Sequence, residues 1–192
     1  APEMGFLFPS FDERSTNLYD ALYYCKDTSQ THPDFVEAVF HAPAPMPAAQ
    51  QMETFQTLLE DTLSDDCRYQ VVQSVHGKLR EMIEEHKANK VEDPLVVDKG
   101  TVRRVLESSG VAEEHVEAFE ERYDDAFGAD TDLSPRNLVD TKQLEITTPD
   151  ITIKVSPDRG DLVETRLIDG ARYILIRAEE GVPVNGVPIQ IS

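Results

Sequence analysis

Through the middle of this chain, apolar side chains recur at intervals of three and four, the period of an α-helix with one buried face. Over residues 48–63 the stripe is Met52, Phe55, Leu59 and Leu63. After a Ser64-Asp65-Asp66 break, Val72, Val75, Leu79, Met82 and Ile83 predict a second helix from Arg68 to about Ala88. Asp98 stands where a cap is expected for a shorter helix carrying Val102, Val105 and Leu106, which stops at Gly110. Residues 112–127 then set Val116, Phe119, Tyr123 and Phe127 against a carboxylate-covered opposite face, ending at Gly128.

Beyond Gly128 the period changes to two. Leu144-Glu145-Ile146-Thr147 and Ile151 to Val155 alternate as half-buried strands around a Thr148-Pro149-Asp150 turn. Residues 162–168 and 171–177 flank Asp169-Gly170, a dipeptide suited to the positive φ angles of a type I′ hairpin turn. That turn places Val163, Thr165 and Leu167 on one face with Ile174 and Ile176, with Arg172 ending the row. Asn185-Gly186 predicts a second tight hairpin, and Pro183 and Pro188 confine it to a sheet edge.

The first forty residues are less regular. Phe6, Phe8 and Phe11 suggest a strand interrupted by Pro9, followed by a turn at Asp12-Glu13-Arg14-Ser15. Residues 18–24 fit a strand or a helical turn equally. His32-Pro33-Asp34 reads as a helix start, with Phe35, Val36, Val39 and Phe40 as its apolar face. A proline-rich connector, residues 42–47, spaces this part from the helices. Helices followed by strands, rather than alternating with them, predict an α+β protein. Its expected organisation is a mainly helical portion of four to five helices over residues 1–140, with or without an opening strand, and a small antiparallel sheet of hairpins over 141–192 packed on it.

Charge narrows the function. The 192 residues carry 37 acidic and 18 basic side chains, a net of -19. Residues 1–140 hold 29 of the acids and 12 of the bases, whereas residues 141–192 are nearly balanced at 8 and 6. A surface this negative repels phosphate backbones and anionic headgroups, which argues against nucleic-acid and membrane partners. No run approaches the eighteen apolar residues of a membrane span. The outline of a helix-turn-helix over Val102–Tyr123 meets the same objection, because its second helix is covered in Glu and Asp with Arg122 its one base.

Candidate chemistry is sparse. Asp124, Asp125, Asp130 and Asp132 around Gly128 invite a calcium reading, but neither register supplies the glycine and bidentate glutamate of an EF-hand loop. The five histidines show no zinc-site spacing, so no metal ligand and no cofactor is expected. His76 borders the apolar stripe of its helix, as a hydrogen-bonded histidine at the core margin would. A Cys25 or Cys67 thiol paired with His41 or His76 is the one catalytic arrangement available, yet Asp65 and Asp66 beside Cys67 would raise its pKa. Cys25 and Cys67 either pair with each other or are two small buried thiols, and without a secretion signal the reading favoured is reduced thiols of a cytoplasmic protein. Arg159-Gly160-Asp161 is expected as an ordinary inter-strand turn.

Several stretches together resemble an uncharacterised bacterial family known only as a domain of unknown function. They are Ala21-Leu22-Tyr23-Tyr24 with Lys26-Asp27, Met46 to Gln50, Val75-His76, Ile83 to Lys87 and Ala126-Phe127-Gly128. The closest run is Asp161 to Arg166, continuing through Ile168-Asp169-Gly170 and Tyr173 to Ile176 as far as Val184-Asn185-Gly186. The resemblance spans nearly the whole chain and implies the C-terminal portion of a longer cytoplasmic protein. It brings no activity and no catalytic or binding residues. The functional expectation is therefore a non-catalytic protein-interaction or regulatory module, docking a protein partner or a second copy of itself through a sheet edge or helix groove. The alternative is an enzyme of hydrolase-like type with a pocket near His76 or Cys67.

Overall fold

A computed structural model of the chain describes residues 2–11, 16–27, 30–91, 93–129, 131–178 and 181–191. They divide into two units, Ala1–Val139 and Asp140–Ser192.

The first unit opens with a ribbon. Strand β1 (Met4–Leu7) runs antiparallel to β4 (Leu22–Cys25), with Met4 opposite Cys25 and Leu7 opposite Leu22. Pro9 has no amide to donate, so the ladder breaks there and resumes between β2 (Ser10–Phe11) and β3 (Thr16–Asn17). The expected Asp12–Ser15 turn lies outside the described residues. The Asn17 side-chain oxygen accepts from the Tyr19 and Asp20 amides on the return path. Helix α1 (Pro33–Phe40) starts at His32-Pro33 as the sequence predicts. Aromatic contacts fix it to the ribbon: Phe6 meets Phe40 edge-on at 5.3 Å and Tyr23 stacks on Phe35 at 6.1 Å.

Four further helices follow: α2 (Ala48–Leu63), α3 (Tyr69–Asn89), α4 (Lys99–Ser108) and α5 (Glu113–Phe127). One continuous core joins them, and α5 packs against both α2 and α4. Its centre is aromatic: Phe55 meets Phe119 edge-on at 6.4 Å, and Phe119, Tyr123 and Phe127 continue the chain of rings along α5 at 5.8 and 5.0 Å. Two details differ from the sequence pattern. In α3 Val71 is buried along with Val75 whereas Val72 is half-buried, and in α2 Leu58 and Thr62 widen the buried stripe. Thr62 is accommodated because its hydroxyl donates to the Leu58 carbonyl at 2.7 Å.

Helix ends are settled by side chains and glycines. Asp98 caps α4, its carboxylate accepting from the Thr101 amide at 2.7 Å. Gly110 (φ 77°) turns α4 toward α5, and Gly128 (φ 96°) ends α5. The α5 N-terminus receives a cap from a distant residue. Asp66 accepts from the Ala112 amide and contacts His115 Nδ1, both at 3.0 Å. After Gly128 the chain crosses back over the helices. Leu133 bridges Val97, and Leu133, Leu138 and Val139 are buried in the helical core. Among the described residues, no helix is long and apolar enough to cross a membrane.

The second unit is built of antiparallel hairpins, as the change of period predicts, completing an α+β arrangement. They form three separate two-stranded ribbons: β5 (Leu144–Thr147) with β6 (Thr152–Val155), β7 (Val163–Ile168) with β8 (Ala171–Ile176), and β9 (Val182–Val184) with β10 (Val187–Ile189). The two tight turns have the expected geometry, with φ near 50° at Asp169 and Asn185 and 82° at Gly170 and Gly186. Val163 sits opposite Ile176, Thr165 opposite Ile174 and Leu167 opposite Arg172, which is the row read from the sequence.

Candidate functional site

The residues that carried the enzymatic reading lie apart. His76 is half-buried in α3, between the buried Val75 and the exposed Lys78. Burial, and then the charge on Arg80, hold its imidazole below the ordinary histidine pKa. Cys67 precedes α3, so about 10 Å of helix separates Tyr69 beside it from His76. Its thiol pKa is raised, first by burial and then by Glu60 on α2. Glu60, rather than the adjacent Asp65 and Asp66, is thus the carboxylate that acts on it. A thiol held protonated is a poor nucleophile. Cys25 is also a free thiol, and its Sγ donates to the Asp27 and Gln30 carbonyls at 3.1 and 2.9 Å.

The other sequence motifs are occupied by local structure. In the α4–α5 hairpin, Arg103 forms ion pairs with Glu107 (2.7 Å) and with Glu120 on α5, while Arg104 donates to the Thr101 hydroxyl at 2.9 Å. The Arg103–Glu120 pair links the two helices, and Arg122, the base of the second helix, pairs with Asp61 on α2 at 3.3 Å. Lys99 pairs with Asp124, a member of the acidic turn. Asp130 lies outside the described residues, and among those described no cluster of three metal-ligating side chains occurs. Arg159-Gly160-Asp161 is folded into a 3-10 turn with Gly160 buried. Asp161 accepts from Arg159 (3.1 Å) and Arg177 (2.8 Å), and these contacts hold its carboxyl below the usual range, Arg159 contributing most.

Three concave surfaces among the described residues of the helical unit have neither His76 nor Cys67 in their lining. A groove of about 640 Å³ between α3 and α4 is bordered by Ser74, Gly77, Lys78, Thr101 and Arg104. A second of similar volume between α2 and α5 has Leu58 at its floor and Glu53, Asp61, Arg122 and Asp125 around it. A smaller cleft of about 260 Å³ lies beneath Tyr23, Met46 and Pro47. In the smallest cleft Tyr23 stands beside Cys25, and burial, then the Cys25 thiol, holds its phenol above the ordinary tyrosine pKa.

The surface of the second unit is of another kind. Among its described residues only Gly160 and Val163 are buried, whereas Leu167 is 72% exposed, Ile176 55% and Ile191 72%. Both faces of the β7–β8 ribbon expose apolar side chains. One face carries Leu167, Ile174 and Ile176 with Thr165 and Arg172; the other carries Ile168, Tyr173 and Leu175 with Glu164 and Arg166. Such two-sided patterning normally belongs to a strand covered above and below. Isolated two-stranded hairpins are marginal in water, and large exposed apolar patches mark sites of association. Sequence reasoning located the strands and their rows, but gave no sign that both faces would remain open.

The chain matches the DUF4317 family, described as a domain of unknown function, over residues 1–187. No curated protein and no solved structure matches it. The chain belongs to the DUF4317 family.

Proposed function

We propose that this member of the DUF4317 family is a non-catalytic protein-interaction module that docks a protein partner through its C-terminal hairpins. The observation that carries the reading is the β7–β8 ribbon, which exposes apolar side chains on both faces and is unpaired along its edges among the described residues. Open edges offer backbone amides and carbonyls to an added strand, and alternating side chains supply selectivity. The helical unit contributes a self-sufficient core and a strongly acidic exterior, which disfavours association through its own faces with any acidic protein.

A photo-crosslinking amino acid placed at Leu167 in the intact protein tests this in its native cells. A discrete protein adduct is expected from that position and not from Glu84, exposed on α3. The absence of an adduct at 167, or equal labelling from 84, overturns the reading.

A further inference from the structure

Building on that reading, the geometry points to a second copy of this chain as the occupant of the hairpin surface, joined strand to strand along β8. The two edges of the β7–β8 ribbon differ in chemistry. On β7, Glu164 and Arg166 pair with each other at 2.9 Å and place charges along the edge, the usual protection against an incoming strand. On β8, Tyr173-Ile174-Leu175-Ile176 is an uncharged run of residues that favour strands, bracketed by Arg172 and Arg177. Neither strand pairs with a third among the described residues. An antiparallel strand laid against its own symmetry mate needs no second sequence to complement it, and a twofold contact of this kind closes at two copies.

Charge selects the same surface. Each chain carries -19, but residues 140–192 hold 6 basic and 9 acidic side chains, leaving most of the negative charge on the helical unit. Two copies therefore approach with least repulsion through the hairpins. A basic partner protein would instead favour the acidic helices. The strand itself leaves apolar surface to cover: Tyr173, Ile174 and Ile176 on β8 are 45%, 38% and 55% exposed. Pairing through β8 joins the Ile174 and Ile176 rows of the two copies into one broader apolar face, extending the area covered.

The test is the mass of the intact chain by light scattering and sedimentation, from 1 to 200 µM protein in low and high sodium chloride. A species of twice the 21.6 kDa chain mass is expected. Its dissociation constant should tighten as salt rises, because screening relieves the repulsion between two acidic copies. Ile174→Glu should weaken it by at least about 100-fold, since each dimer carries the change twice. A cysteine added in turn at 173 to 176, alongside the chain's own Cys25 and Cys67, provides a readout that does not depend on that variant folding. One or two positions should give an inter-copy disulfide, with none from the unsubstituted chain or from Glu164→Cys. A monomer at every concentration, or a dimer indifferent to Ile174→Glu and to the cysteine positions, overturns the pairing. If the chain is monomeric while the Leu167 crosslinker captures a different protein, self-pairing fails and the interaction reading stands. No adduct of either kind removes both.

Discussion

Phe119→Ala is the sharpest test of where the stability of this protein resides. Phe119 is fully buried, meets Phe55 edge-on at 6.4 Å and leans on Tyr123 at 5.8 Å, so it links α2 to α5 at the centre of the only described core. Truncating a buried phenylalanine costs about 3–5 kcal/mol, and the two ring contacts place this one toward the upper end, at about 4–5 kcal/mol. With a urea dependence of about 2 kcal/mol per molar, the midpoint should fall by roughly 2–2.5 M when unfolding is followed by helical circular dichroism. Tyr173→Ala removes a ring of similar size from a side chain 45% exposed on β8. In dilute protein its effect should stay within about 0.5 kcal/mol, or roughly 0.3 M. If Phe119→Ala moved the midpoint by less than about 0.5 M, or Tyr173→Ala moved it as far, the division into a cored helical unit and an open hairpin surface would be wrong.

Other consequences concern caps and titrating groups. Asp98→Ala removes the cap of α4 and should cost about 1 kcal/mol, read as a midpoint shift of roughly 0.5 M in urea. Asp66 is held below the usual carboxylate pKa by the Ala112 amide first and His115 next. Its contribution is present above the unfolded value of about 4 and is lost as pH falls through the lower folded value. Asp66→Asn should therefore show a shallower acid-unfolding curve below about pH 4 than the unsubstituted chain. His76 is shifted downward by burial and Arg80, so the unfolded chain takes up a proton near pH 6.5 while the folded one does not. Stability should decline from about pH 7.5 to 5.5, and His76→Gln should flatten that slope in urea titrations.

How much of this was readable in advance depended on how local the cause was. Helices α2 to α5 follow from a repeating stripe, and the β7–β8 and β9–β10 turns follow from Asp169-Gly170 and Asn185-Gly186, because period and positive φ are written within a few residues. The opening strand was suggested by Phe6 and Phe8, but its pairing was not readable, since Pro9 breaks the pattern and β1 finds its partner residues 15 to 21 positions away. Asp66 capping α5 from 46 residues away has no local signature, and neither does Glu60 acting on Cys67. The buried return of Leu133, Leu138 and Val139 lacks any period and was not assigned to an element. For the candidate surface, alternation gave the apolar rows of β7 and β8, but which faces stay uncovered depends on tertiary neighbours.

Amide hydrogen exchange of the intact chain at 1 and 200 µM tests the hairpin surface most directly. The account predicts that outward-facing amides between Tyr173 and Ile176 slow at least tenfold at the higher concentration, while those of α2 to α5 are unchanged. Fast exchange along β8 at both concentrations, or slowing confined to the acidic helices, would contradict it.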